Sequence, residues 1–242
     1  MSETIPAFAG KDIGPENPDT AKARSSVYHL LSALFMKEVD SGLLAVMKSE
    51  NIAQAFEELA PNIRCILDHP VPETLLNDLA EEYAALFVVP GGVPPYESVR
   101  LRGMINQQPA WEVEEFYRHC GLVMRDECRI MPDHIGMELD FMGDLAGKEA
   151  EARLNDDGEE AAKWLGLERE FFQNHIDLWV FAFLRDVERL AFHPFYKTVG
   201  SLAMRFLETE KEHLGIPKGG GDGGLPPTQQ TGFQHREEVN HE

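Results

Sequence analysis

Apolar residues recur along most of this chain at the three- and four-residue spacing of an α-helix. Val27, Leu30, Leu31, Leu34 and Phe35 fall at i, i+3, i+4, i+7 and i+8, a stripe that strand alternation cannot mimic. The spacing returns at Leu76, Leu79, Tyr83, Leu86 and Phe87, where Pro72-Glu73 suits a first helical turn and Pro90-Gly91-Gly92 closes the segment. A third helix is predicted from about Pro109 to Gly121. A fourth follows Met131-Pro132, with Asp133 placed to cap it and Ile135, Leu139, Met142 and Leu145 on one face. The longest runs from about Glu159 to Phe192, carrying Phe172, Ile176, Trp179, Val180, Phe183, Leu184, Val187 and Leu190, and His193-Pro194 breaks it. Val199, Leu202, Ala203 and Phe206 mark a last helix that ends at Gly215.

No segment alternates with period two for long, and no Asn-Gly or Asp-Gly pair joins β-branched runs, so the predicted fold class is all-α, a helical bundle. No repeat at a period of about 30 to 50 residues is visible, which disfavours a solenoid. Residues 1–19 and 215–242 are rich in glycine, proline and polar groups without periodicity and read as disordered tails. One all-helical domain is therefore expected over residues 20–214. The length of 242 residues and the 43% hydrophobic content suit one sizeable core and do not demand a second domain.

The absence of an apolar run of about 18 residues, and of a basic and then apolar leader near the start, predicts a cytoplasmic protein without stable membrane insertion. Cys65, Cys120 and Cys128 form no C-x-x-C pair, so neither a disulfide framework nor a zinc site is suggested. With 22 basic and 42 acidic residues the formal charge is -20, which repels phosphate backbones and disfavours nucleic acid as a partner. The same acidity also serves solubility.

Catalytic patterns are missing: there is no G-x-S-x-G elbow, no H-E-x-x-H, no phosphate-binding loop, and the glycines at 219–224 lie in a tail. No catalytic residue, metal or cofactor is expected. His134 and Glu138, four apart on one helix face, could chelate a metal if a second pair converged on them. A helical metalloenzyme or nucleotide hydrolase using these two residues is the alternative reading. A structural subunit of a mature complex is a third. In the reading preferred here His134 bonds a neighbouring backbone or carboxylate, and His175 and His193 sit at a core edge or turn.

Two segments stand out from ordinary packing. In Tyr83-x-x-Leu86-Phe87 followed by Pro94-Pro95-Tyr96-Glu97-Ser98-Val99, a helix runs into a stiff turn that sets an aromatic beside a carboxylate. In Pro132-Asp133-His134 followed by Glu138-Leu139, a helix starts with an acid that can cap backbone or meet a cation. Together with Tyr28-His29-Leu30-Leu31-Ser32-Ala33-Leu34-Phe35, these resemble the TorD/DmsD/NarJ family of redox-enzyme maturation chaperones. The likeness runs from about Ala21 to Leu214 in order, and Phe172 to Trp179 with Pro194-Phe195-Tyr196 resembles the family's closing helices.

The resemblance implies a non-enzymatic chaperone that binds the apo catalytic subunit of a molybdopterin oxidoreductase of the dimethyl-sulfoxide-reductase class. It also implies binding of that subunit's N-terminal twin-arginine peptide until the molybdenum cofactor is inserted. The family's signature positions fall on Tyr83, Leu86, Phe87, Pro95, Tyr96, Ser98, Asp133 and His134. Leu86, Phe87 and Tyr96 are expected to line an apolar groove, with Glu97, Asp133 and Glu138 open to arginines. Tyr83 and Tyr96 stand where sulfoxide-reductase chaperones usually carry tryptophan, Glu97 where they carry glycine, and Arg100 where they carry an aromatic. That form resembles relatives serving nitrate, selenate or dimethyl-sulfide enzymes. A monomer is expected, with exchange of helices between two copies as the route to a dimer.

Overall fold

The computed structural model describes residues 17–49, 63–68, 70–124 and 129–217. Ten α-helices lie among them. Helix α1, Pro18–Met36, starts two residues before the expected boundary because Asn17 Oδ1 accepts the Asp19 N–H at 2.8 Å and Pro18 takes a first-turn position. Helix α2, Ser41–Met47, is capped by Asp40, whose Oδ1 accepts the Leu43 N–H at 2.8 Å. It is followed by α3, Ile63–Leu67, and by α4, Pro72–Tyr83, which continues through a π turn over Ala84–Val88. Next come α5, Glu97–Arg102, and α6, Gln108–His119. The longer α7, Ile135–Leu154, follows.

The long helical stretch is α8, Gly158–Phe171, a π turn over Phe172–Ile176, and α9, Asp177–Leu190. The wider turn re-phases the stretch, so that Phe171, Phe172, His175 and Ile176 all face inward. Helix α10, Pro194–His213, takes its cap from His193, whose Nδ1 accepts the Phe195 N–H at 3.1 Å. No strand occurs among the described residues. An isolated antiparallel pair, Tyr96 with His134, joins two loops. Apart from residues 17–19 and 215–217, the expected tails lie outside the described residues, as does Cys128.

Helix α1 packs along α7, α7 along α8, and α9 along α10. The α1–α7 crossing is close because Gly143 has no side chain: a Cβ there would stand 2.7 Å from the His29 ring. Tyr28, Leu31, Leu34 and Phe35 of α1 and Leu139, Met142 and Leu145 of α7 are buried. So are Trp179, Val180, Phe183, Leu184 and Val187 of α9, each stabilising the fold by roughly 1.5–3 kcal/mol through apolar burial. Leu190, expected on this stripe, is exposed at the helix's last turn.

One ionic cluster binds four helices together. The Arg24 guanidinium donates to Glu149 at 2.7 Å and to Glu210 at 2.9 and 2.8 Å, and contacts Glu168 as well. All four side chains are buried.

Candidate functional site

The site is built where the end of α4 meets the start of α7. After the π turn the chain folds back on itself, with the Val93 N–H donating to Leu86 O at 2.6 Å. Gly92 is required there, because a Cβ would come within 2.2 Å of the same carbonyl. The Pro94-Pro95 segment then runs antiparallel to residues 133–135. The Glu97 N–H donates to Asp133 O at 3.0 Å and the Ile135 N–H to Pro95 O at 2.9 Å, which sets Tyr96 opposite His134.

This pairing reassigns the caps. Asp133, expected to cap the helix that follows it, instead accepts the Ser98 N–H on Oδ2 at 2.8 Å and caps α5. His134 caps α7, its Nδ1 accepting the Gly136 N–H at 2.9 Å. The cause is geometric: the antiparallel pairing of the two loops lays Asp133 beside the exposed amides of α5, so the next residue is left to close α7. The Tyr96 ring meets the His134 imidazole edge-on at 5.1 Å between centroids.

Behind the pairing lies a sealed acidic cluster. Glu97 is 1% exposed, and its Oε2 stands 3.0 Å from His175 Nδ1. Glu138 is fully buried and accepts the Trp179 indole N–H at 3.1 Å. Tyr117 OH donates to Pro132 O at 2.9 Å, fixing the turn before the cap. Ser98 Oγ, Asp133 Oδ1 and Glu138 Oε1 are sealed among these groups without a hydrogen-bond partner among the described residues. Burial, and then the nearby Glu97 and Asp133, push the Glu138 carboxyl well above the usual range, which favours its protonated form. Burial alone pushes the His134 imidazole down to about 4, so it is neutral.

The structure thus gathers Tyr96, Glu97, Ser98, Asp133, His134 and Glu138 into one cluster, with buried Pro95 as part of its frame. It does not leave the three carboxylates open to arginines, because each is engaged in the cluster. Nor do Leu86 and Phe87 line a groove. Both are buried, and Phe87 packs on Phe35, Phe183 and Tyr196.

What faces solvent is an aromatic edge. Tyr83 and Tyr96 are half-buried, and Tyr83 OH donates to Phe35 O at 3.0 Å. The Tyr83 hydroxyl is pushed up to about 12, first by burial, then by Tyr96 and Glu38. Glu38 is exposed and its charge acts on the Tyr83 hydroxyl, which makes it an open carboxylate within electrostatic reach of the edge. Sequence patterns did not mark it, since it follows α1 without a motif of its own. Spacing puts His175 at a core edge or turn and Trp179 on the apolar stripe, and it does not mark their hydrogen bonds to Glu97 and Glu138. The signal for them was their place on the core stripe, where buried polar atoms need partners.

The class to which this all-helical bundle belongs, that of redox-enzyme maturation chaperones, is set by its similarity to known proteins. Residues 49–185, more than half of the 242, match the family model described as nitrate reductase delta subunit, and the chain belongs to that family. A chaperone protein TorD from Vibrio atlanticus (strain LGP32) is 28% identical over 205 residues, 79% of this chain and 94% of the relative. A chaperone protein TorD from Shewanella sp. (strain MR-4) is 27% identical over 216 residues, 82% of this chain and 97% of the relative. A perchlorate reductase assembly chaperone protein from Dechloromonas aromatica (strain RCB) is 26% identical over 211 residues, 82% and 93%.

The family is one of chaperones and not of catalysts, which removes the reading of His134 and Glu138 as enzymatic groups. Among the described residues no group of three or more His, Cys, Asp or Glu is placed to hold a metal ion. No helix among them is long and apolar enough to cross a membrane.

Proposed function

We propose that this chain binds the apo catalytic subunit of a molybdopterin oxidoreductase of the dimethyl-sulfoxide-reductase class in the cytoplasm. It holds that subunit and its N-terminal twin-arginine peptide, as a monomer, until the molybdenum cofactor is inserted. The observation that carries this reading is the pairing of Tyr96 with His134, which unites both motif segments under one aromatic edge. The names of the TorD and perchlorate reductase relatives support a reductase as client.

The sealed cluster acts as a frame. Neutral His134 and the capped α5 hold Tyr96 in place, so little entropy is lost when a peptide settles on it. Glu38 offers the carboxylate for a guanidinium, and the rings of Tyr83 and Tyr96 offer faces for an arginine or an apolar residue.

Titration calorimetry with a synthetic peptide carrying two adjacent arginines before an apolar segment tests the edge. Glu38→Gln is expected to weaken binding about five- to tenfold, and a peptide with lysines in place of the arginines is expected to bind less well. Unchanged isotherms for Glu38→Gln and Tyr96→Ala would remove the edge from the site. Co-purification of the tagged chain from its own cells tests the client, and recovery without any molybdopterin enzyme subunit overturns the wider reading.

A further inference from the structure

On another part of the surface the charge reverses. The chain as a whole carries -20, yet Arg100 of α5 and Arg189 of α9 share one carboxylate where the two helices meet, and each helix carries one further exposed arginine. Arg100 Nη2 donates to Asp186 Oδ2 at 2.7 Å, and Arg189 Nη2 to Asp186 Oδ1 at 2.9 Å. The carboxylate between them is held below its ordinary value, with burial opposing and the two arginines lowering it. Arg102 at the end of α5 and Arg185, one helical turn before Arg189, are exposed and take no carboxylate partner among the described residues. Two cations share Asp186 and two more take no carboxylate, so the arginines of these two segments outnumber the one carboxylate they pair with.

The end of α5 and the segment after it carry apolar surface. Leu101 to Asn106 is an uninterrupted exposed run in which Met104 is 61% and Ile105 49% exposed. Leu190 follows Asp186 by one turn and is exposed beside it. Gly103, in the left-handed conformation, ends α5 and turns the run outward. Side chains of this kind gathered in one place mark a contact surface more often than isolated exposed residues do.

We propose that the face formed by α5, the loop after it and the outer side of α9 docks a short acidic segment of a partner protein. The segment's carboxylates pair with Arg102, Arg185 and Arg189, and an apolar residue of the segment covers Met104 and Ile105. Charge complementarity selects this occupant. The twin-arginine peptide of the proposed client is repelled here and favoured at the Glu38 edge, so the two surfaces take ligands of opposite sign. A nucleic acid or an anionic membrane is also negative, but either extends well beyond these arginines and meets the field of a chain with 42 acids against 22 bases.

The test uses the full chain and defined probes, in fluorescence anisotropy at low and at raised salt. The first probe is a labelled amphipathic peptide of about 18 residues with glutamates on one helix face and leucines on the other. The others are its lysine counterpart, anionic phosphatidylglycerol vesicles and duplex DNA. The glutamate peptide is expected to bind, to weaken with salt, and to lose about tenfold or more in affinity to the Arg102→Glu, Arg185→Glu double variant. Both substituted residues are exposed, and circular dichroism checks that the variant keeps its helices.

Met104→Ser with Ile105→Ser is expected to weaken the same peptide about threefold or more. The proposal is overturned if the glutamate peptide does not bind, if the charge-reversed variant binds it equally, or if the lysine peptide, vesicles or DNA bind as tightly. The two-arginine peptide, titrated on the same variant, separates this surface from the Glu38 edge. Its binding persists if both proposals hold, and its failure on wild type removes the edge while leaving this face standing.

Discussion

Two clusters of buried carboxylates sit in this bundle, and they differ in what holds them. Around Arg24, Glu149, Glu168 and Glu210 meet a guanidinium from three sides and tie α1, α7, α8 and α10 together. Around the Tyr96–His134 pairing, Glu97, Asp133 and Glu138 have no such cation and rest on the Ser98 amide, the Trp179 indole and His175. The first cluster is organised around a guanidinium, the second by hydrogen bonds without one. Removing a cation is therefore expected to wound the first, and removing an acceptor to wound the second.

The largest effect is expected for Arg24→Met. It takes the guanidinium from Glu168 and Glu210 and leaves Glu149 to Arg153 alone, and breaking a buried ionic cluster from one side costs about 3–5 kcal/mol. Urea unfolding measures it, and a loss below about 1 kcal/mol would mean that the cluster contributes packing alone. Next comes Asp133→Ala, which strips the cap from α5 and orphans the buried Ser98 N–H at a cost of about 2 kcal/mol. Asp133→Asn keeps an acceptor at the same place and is expected to stay within about 1 kcal/mol of wild type. Equal losses for the two Asp133 variants would show that the second cluster needs charge after all.

Acidity offers a sharper contrast. His134 is neutral in the fold down to about 4, against an ordinary 6.5, so the unfolded chain binds the proton first. Stability that depends on His134 is present above pH 6.5 and is lost as pH falls from there toward 4, by about 2–3 kcal/mol. His134→Asn, which keeps a capping side chain, is expected to flatten that slope.

Carboxyls with raised values act in the opposite direction. Glu168 is pushed up to about 8 from 4.5, first by burial, against the pull of Arg24 and with the help of Glu149 and Glu210. The folded state favours its protonated form, so its contribution falls as pH rises from about 4.5 to about 8. Glu138 shifts in the same sense, and Glu138→Gln, able to accept from Trp179 as before, is expected to lessen the loss on the alkaline side. Unfolding curves from pH 4 to pH 9 on the three proteins read both slopes.

These contrasts also mark what was legible in the sequence. The stripes of α1, α4, α7, α9 and α10 appeared in apolar spacing because each helix buries one continuous face. The π turns did not, since one added residue inside an apolar run leaves the run looking helical. Helices α2 and α5 are too short to carry a period. The motif residues were recognisable, but their partners were not: Asp133 reaches Ser98 35 positions away, and His175 reaches Glu97 across 78. Arg24 finds acids 125 to 186 positions distant, and nothing local distinguishes it from a surface arginine. Pairings of that range are set by the packing of the bundle, so the motifs could be read as open acids until the fold closed over them.

The smallest effect on stability, and the finest test of the comparison, is expected at Glu38. It is exposed, and Glu38→Gln is expected to change unfolding free energy by less than about 0.5 kcal/mol. Glu97→Gln, by contrast, alters a sealed group bonded to His175 and is expected to lower stability. If buried acids frame the site and an exposed one meets the ligand, the two variants exchange roles when a two-arginine peptide is titrated. Glu38→Gln weakens binding with the fold intact, whereas folded Glu97→Gln binds close to normally once its lower stability is allowed for. The reverse pattern, with normal unfolding and lost binding for Glu97→Gln, would mean that the cluster opens to admit the peptide, and the boundary drawn here between frame and edge would have to move inward.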